Sequence, residues 1–274
     1  MSTIQIQSYG SKRQNALNVV MPSKRFTNLT EFEKYTAELF THLDMSKPHF
    51  FLFPEAPFIA GYVPSRRYAK QVVRRLSDLL AVKSPTSKIA FSLFEKARLG
   101  AVTRRDVGKT FYHNGYVISS EGVKVYPKNS LHGSNNDAFS DFAEYELGRL
   151  ELPGAWTKRV GVVANRHKSL FGLPKISFPT GHSFEYRVCA DLNKGHEAPV
   201  AVSANEYSDF QNLLKSKHGS SLLLINDIAE KEKVGRTNNG YTRAVKKGGR
   251  MFSHLFNPDQ SFLREEKLRV HIVD

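Results

Sequence analysis

The stretch that most restricts the fold is His49-Phe50-Phe51-Leu52-Phe53, a continuous apolar run ended by Pro54 and followed at once by Glu55. A run this short, with no alternation of polar and apolar residues, is the pattern of a strand covered on both faces. Ser221–Asn226 (SLLLIN) has the same character. Two such strands call for a sheet with layers on either side, since one exposed face would leave phenylalanine and leucine in water.

The neighbouring segments supply those layers. Thr27-Asn28-Leu29-Thr30 opens a helical pattern in which Phe32, Tyr35, Leu39 and Leu43 recur on one side, and Thr30 with Glu33 forms a capping-box pair. Ser65–Ala81 reads as a second helix, with Tyr68, Val72, Val73, Leu76 and Leu80 opposite a row of arginines. Ile4–Gln7, Ala16–Met21, Lys88–Phe94, Arg159–Ala164, Ser183–Cys189, Met251–Phe256 and Arg269–Val273 read as strands. Thr110–Ser119 and Val123–Tyr126 read as a hairpin across Ser120-Glu121-Gly122. Asp209–Lys217 and Tyr241–Lys247 read as helices, the latter stopped by Gly248-Gly249. Asn165–Gly181 and Asn193–Asn205 read as loops. Strands interleaved with helices give an α/β fold, and the hairpin makes its sheet mixed rather than purely parallel. No linker composition divides the chain, so residues 1–274 are expected to form a single domain, with 1–15 an N-terminal arm irregular apart from the short strand at Ile4–Gln7.

Composition narrows the function classes. There is one cysteine in 274 residues, which excludes an internal disulfide framework and suits a reducing, cytoplasmic setting. No window approaches the ~18 uninterrupted apolar residues of a membrane span, and the polar N-terminal residues lack the apolar core of a signal peptide. The formal charge is +14, from 40 Lys+Arg against 26 Asp+Glu. That charge keeps nucleic acid or an acidic partner as an alternative ligand, although the basic residues are scattered as pairs such as Arg66-Arg67 and Arg74-Arg75. Paired histidines at metal-ligand spacing, a G-x-G-x-x-G and a Walker loop are all missing, so no metal or cofactor is expected.

Three polar residues stand in equivalent places, each directly after a strand: Glu55, Lys128 after VKVYP, and Cys189 after FEYRV. In open sheets, sites gather at the carboxyl ends of strands. A thiol attacks best as thiolate, which a nearby cation stabilises, and a carboxylate can take its proton. The oxyanion of the resulting adduct could be held by Lys128 and by the backbone N–H of Ala190. Asp191 fits a loop acceptor that positions the cysteine turn. Arg187 shares Cys189's face by strand alternation and could contact substrate, or could be ion-paired elsewhere.

FLFPE at Phe51–Glu55, YPKNSL at Tyr126–Leu131 and RVCADL at Arg187–Leu192 together resemble the three signatures of the nitrilase (carbon–nitrogen hydrolase) superfamily. The resemblance implies an α-β-β-α sandwich of mixed sheets covered by helices, joined as a homodimer. It implies Glu55 as general base, Lys128 as electrostatic stabiliser and Cys189 as nucleophile in the hydrolysis of an amide, N-carbamoyl or nitrile bond. Leu152-Pro153-Gly154 is similar to the segment after the family's second glutamate, which implies Glu146 in that role, with Glu144 as the competing choice. The wealth of arginine and lysine suggests an anionic, carboxylate-bearing small molecule as substrate. Two other readings compete. One is a Cys–His hydrolase drawing on His182, His196, His218 or His254; the other is a basic binding protein on a catalytically dead fold of the same type.

Overall fold

The computed structural model describes residues 4–55, 57–58, 62–96, 111–127, 175–188, 199–204, 222–228, 241–247, 250–253 and 261–274. Its first sheet is built from β1 (Ile6–Gly10), β2 (Leu17–Pro22), β3 (His49–Leu52), β4 (Lys88–Lys96), β5 (Phe111–Ser119), β6 (Gly122–Pro127) and β13 (Leu268–Val273). The second contains β7 (Lys175–Ser177), β8 (Ser183–Val188), β9 (Val200–Ala204), β10 (Leu223–Ile228), β11 (Tyr241–Lys247) and β12 (Arg250–Ser253). The spatial orders are β1-β13-β2-β3-β4-β5-β6 and β12-β11-β10-β9-β8-β7. In each sheet a parallel centre is flanked by antiparallel strands: β13, β2, β3 and β4 run parallel, as do β8, β9 and β10. The mixed α/β architecture read from the sequence is therefore present.

Period-two alternation decides what each face does. Leu17, Val19, Met21, Phe50 and Leu52 point toward the second sheet and pack with Phe184, Tyr186, Val188, Ala201 and Leu224 in one core. The Phe50 ring lies 5.8 Å from Phe184 and 5.4 Å from Phe178, so the two sheets stack face to face. The alternate residues Val20, Phe51, Ile89, Phe91, Tyr116 and Ile118 face the other way, into a second core with the helices. Both faces of β3 are thus filled, as its unbroken apolar run requires.

Two long helices close that outer core. α1 (Leu29–Thr41) buries Phe32, Tyr35 and Leu39, and α2 (Arg66–Lys83) buries Val72, Val73, Leu76 and Leu80. The start of α1 differs from the expected Thr30–Glu33 box. Asn28 is the N-cap and accepts from the Glu31 N–H at 2.9 Å, while Glu31 reaches back to the Thr27 N–H at 2.7 Å. Thr30 is instead drawn to the Tyr68 hydroxyl, and Glu33 to Arg75 in a two-pronged ion pair. A carboxamide on an extended residue satisfies the free helical N–H groups sooner, so the helix begins earlier.

Four further segments depart from the sequence reading. Tyr241–Lys247 is not a helix but β11, antiparallel to β10 with Leu224 opposite Val245. Its Tyr-Thr-Arg-Ala-Val order fits a pleat as well as a helix, and the pairing available beside β10 decides it. Gly248-Gly249, read as the stop of that helix, lie outside the described residues. Val200–Ala204, read as part of a loop, is the parallel strand at the centre of the second sheet, and Lys175–Ser177 is an edge strand. A short helix, α3 (Ser261–Glu265), was not anticipated. It sits so close to β1 that Gly10, at φ +90°, has no room for a side chain: a Cβ there would lie 2.9 Å from Leu263 and 2.6 Å from the Leu268 carbonyl. The helix expected at Asp209–Lys217 and the strand expected at Arg159–Ala164 lie outside the described residues.

Candidate active site

The carboxyl ends of the central strands of both sheets are bound together by polar contacts. Just past β3, Phe53 offers its carbonyl to the Ser203 hydroxyl at 2.6 Å, and the Glu55 N–H donates to the Ala204 carbonyl at 2.9 Å. Ser203 in turn accepts from the Tyr186 hydroxyl at 2.8 Å. Beside them, Asn226 of β10 donates from one amide nitrogen to the carbonyls of Leu52, at 2.6 Å, and Pro22, at 2.9 Å. All of these side chains are buried, so each bond answers a polar group that water cannot reach.

Glu55 emerges from this clamp with its side chain fully buried. Pro54 ends β3 one residue earlier, which turns the chain and brings the carboxylate inward. One carboxylate oxygen lies 3.6 Å from Nε2 of His113. His113 is itself buried on β5, 3.1 Å from the Ser92 hydroxyl and stacked on Phe94 with ring centres 4.1 Å apart. These contacts come from β4 and β5 on the side facing the second sheet. Burial chiefly, and the negative charge of Glu55 in addition, push the Tyr186 phenol upward, so Tyr186 stays neutral and acts as a donor. The arrangement is a carboxylate held away from water among an imidazole and hydroxyls, a setting in which a carboxylate can exchange a proton with a neighbour.

Of the residues singled out from sequence, Glu55 and Arg187 are described. Arg187 is nearly buried and donates to Glu185 at 2.7 Å, on the face of β8 opposite Tyr186 and Val188. Lys128, Glu144, Glu146, Cys189, Ala190 and Asp191 lie outside the described residues. Their immediate predecessors can be placed. Pro127, before Lys128, is paired with Asn114, the neighbour of His113. Val188, before Cys189, is paired with Ser203, the neighbour of Ala204. His182, a candidate base in the Cys–His scheme, is held by Thr180 at 2.8 Å and by the Glu266 carbonyl at 2.7 Å. His196, His218 and His254 lie outside the described residues.

Sequence reasoning missed His113, Tyr186, Ser203 and Asn226. For Ser203 and Asn226 a signal existed: Ser203 is a lone polar residue within VAVSA, and Asn226 directly follows the apolar run of LLIND, and a buried polar residue in such a place needs a partner. For His113 nothing local distinguishes it from a surface histidine.

Among the described residues no three His, Cys, Asp or Glu side chains gather at a point that could hold a metal, and no helix is long and apolar enough to cross a membrane. No family model matches the sequence, and no curated protein matches it. Among solved structures, an amidase from Nesterenkonia sp. is similar with a TM-score of 0.48 and 13% identity, over 92% of this chain and 90% of that one.

Proposed function

We propose that the chain is a cysteine-dependent hydrolase of a non-peptide C–N bond (amide, N-carbamoyl or nitrile), working through a Glu55-Lys128-Cys189 triad on an α-β-β-α sandwich of the nitrilase type. The observation that carries this reading is the fully buried Glu55 carboxylate at the rim where β3, β8 and β9 end together. Chain continuity adds the rest. Lys128 follows Pro127 of β6, which is paired beside His113 on β5, and Cys189 follows Val188 of β8, which is paired beside Ala204 on β9; each therefore lies one peptide past a strand that neighbours one in contact with Glu55.

In this scheme Glu55 takes the proton of the Cys189 thiol, and the thiolate adds to the carbonyl carbon of an amide. Lys128 and the Ala190 N–H stabilise the oxyanion that forms. The C–N bond then breaks as the protonated Glu55 returns its proton to the leaving amine, which leaves a thioester on Cys189. Water, deprotonated by Glu55, adds to the thioester, and the acid leaves as the thiol is regenerated. A nitrile would pass through a thioimidate at the same sulfur. His113 fixes the orientation of the Glu55 carboxylate, and Tyr186 and Ser203 hold the floor beneath it. Glu146 orients Lys128, Asp191 holds the cysteine turn, and Arg187 supplies positive charge for an anionic substrate while sharing it with Glu185. A cytoplasmic homodimer completes the proposal.

The test is intact-mass measurement after incubation with a panel of amides, N-carbamoyl amino acids and nitriles. The reading expects a covalent increment with at least one class, absent in Cys189→Ala. No increment and no turnover across the panel, together with salt-sensitive binding of nucleic acid, would instead support the basic binding protein.

A further inference from the structure

At the other end of the first sheet, under the end of α1, lies a separate cavity of about 300 Å³. It is walled by the amino-terminal part of β2 and β3, by β1 and β13, and by the turn that follows α1. His49 and Glu55 are six residues apart on an extended segment, so this cavity lies roughly 20 Å from the candidate active site. Asn18, His49 and His271 face it by the same alternation that sends Val20, Phe51 and Val273 to the helical side. Three buried polar side chains at one place in a core otherwise made of phenylalanine and leucine need an explanation.

Their hydrogen bonds define which atoms are donors. Asn18 donates its amide nitrogen to the Pro48 carbonyl, which leaves its Oδ1 as acceptor for Nε2–H of His271 at 3.1 Å. Nδ1 of His271 then accepts from the Ser8 hydroxyl at 2.8 Å. His271 is thereby fully engaged and fixed. His49 differs. Its Nδ1 lies 2.8 Å from the Lys47 carbonyl and so must carry the proton, leaving Nε2 as a bare acceptor with no partner among the described residues. Two cations line the same space, Lys47 and Arg269. Arg269 is half-buried and has no ion-pair partner among the described residues. The carboxylate in the lining, Asp44, is engaged by Lys47 at 3.2 Å and by Ser46.

We infer that this cavity binds an oxyanion that still carries a proton, of the phosphate class. Negative oxygens meet the Arg269 fork and the Lys47 ammonium, while the P–O–H donates to Nε2 of His49. An anion with no such hydrogen would leave the imidazole acceptor buried against a second acceptor, which sites of this kind reject. Sulfate is therefore the discriminating competitor. The volume exceeds that of a bare phosphate, leaving room for waters or for the organic group of a phosphomonoester bound as its monoanion, which keeps the P–O–H.

The experiment is calorimetric titration of the full chain at fixed ionic strength with inorganic phosphate, sulfate and glycerol phosphate, repeated on Arg269→Gln and Lys47→Gln. Both substitutions are at exposed or half-exposed positions, and unchanged circular dichroism would confirm the fold. The inference expects saturable phosphate binding below about 10 mM. It also expects weakening of roughly tenfold or more in Arg269→Gln, a smaller loss in Lys47→Gln, and sulfate at least about tenfold weaker than phosphate. Glycerol phosphate binding as tightly as phosphate would mark an ester as the ligand; weaker binding would mark the free anion. No saturable phosphate binding, equal affinity in Arg269→Gln, or equal affinity for sulfate would each overturn the assignment.

Discussion

Single residues carry most of the charge chemistry of this molecule, and two groups of them set its pH response. Glu95, fully buried at the end of β4, is pushed up to about 7, chiefly by burial, against weaker opposing pulls from Asn114, Arg66 and Lys70. A carboxyl raised in the folded state binds protons more readily there than in the unfolded chain. Stability is therefore highest below about pH 4.5 for this group and falls as pH rises toward 7, by ~3 kcal/mol in full. Glu95→Gln removes the charge while keeping the shape, so it is predicted to be more stable than the parent at pH 8 and nearly equal at pH 5. Denaturant midpoints at the two pH values check this, and an equal difference at both would contradict it. His49 and His271 act in the opposite sense. Burial holds them down at about 4 and about 3, so the unfolded chain gains protons first as the solution is acidified. Stability is predicted to fall from pH 6.5 downward, and His271→Gln should flatten that acid limb in the same assay. Glu55 belongs to this scale as well. Glu55→Gln is predicted to lower turnover by 100-fold or more, roughly the contribution of a positioned general base, while leaving substrate binding largely intact.

At the scale of elements, strands with unbroken apolar runs were the most legible part of the sequence. β3 and β10 announce themselves, because only a sheet covered on both faces accommodates HFFL or LLI, and α2 is marked by its apolar stripe and by Ser65 at its start. The elements that escaped did so for identifiable reasons. β9 lies in a segment whose polar flanks conceal five residues with strand character, and β11 contains a pattern that both periodicities accept, so that pairing with β10 decides between them. Of the site, Glu55 was legible from its position after a strand end. The clamp around it was not, because Ser203, Tyr186 and Asn226 acquire meaning only when the two sheets are brought together. That clamp makes a prediction of its own. Asn226→Ala leaves the carbonyls of Leu52 and Pro22 without their donor and is predicted to cost ~2–4 kcal/mol in chemical denaturation. A loss under about 0.5 kcal/mol would mean that the sheets are held at this end by packing alone.

Across the whole molecule, the two sheets form a stack whose ends do different work. At the carboxyl end, polar bonds between the sheets leave a carboxylate buried and held; at the amino end of the first sheet, a polar cavity is lined by two cations and, among the described residues, one carboxylate. Arginines on the exposed side of α2 belong to neither end, and they contribute to the +14 charge. The proposed chemistry requires acid, amine and thiol to meet at the carboxyl end. Because the chain has one cysteine, alkylation by iodoacetamide reports that thiol alone. The most direct measurement is its alkylation rate against pH, followed by intact mass, in the parent protein and in Lys128→Met. The expected result is a thiolate that forms well below the ordinary ~8.5 in the parent and moves upward in Lys128→Met. A profile at the ordinary position, unchanged by the substitution, would contradict it.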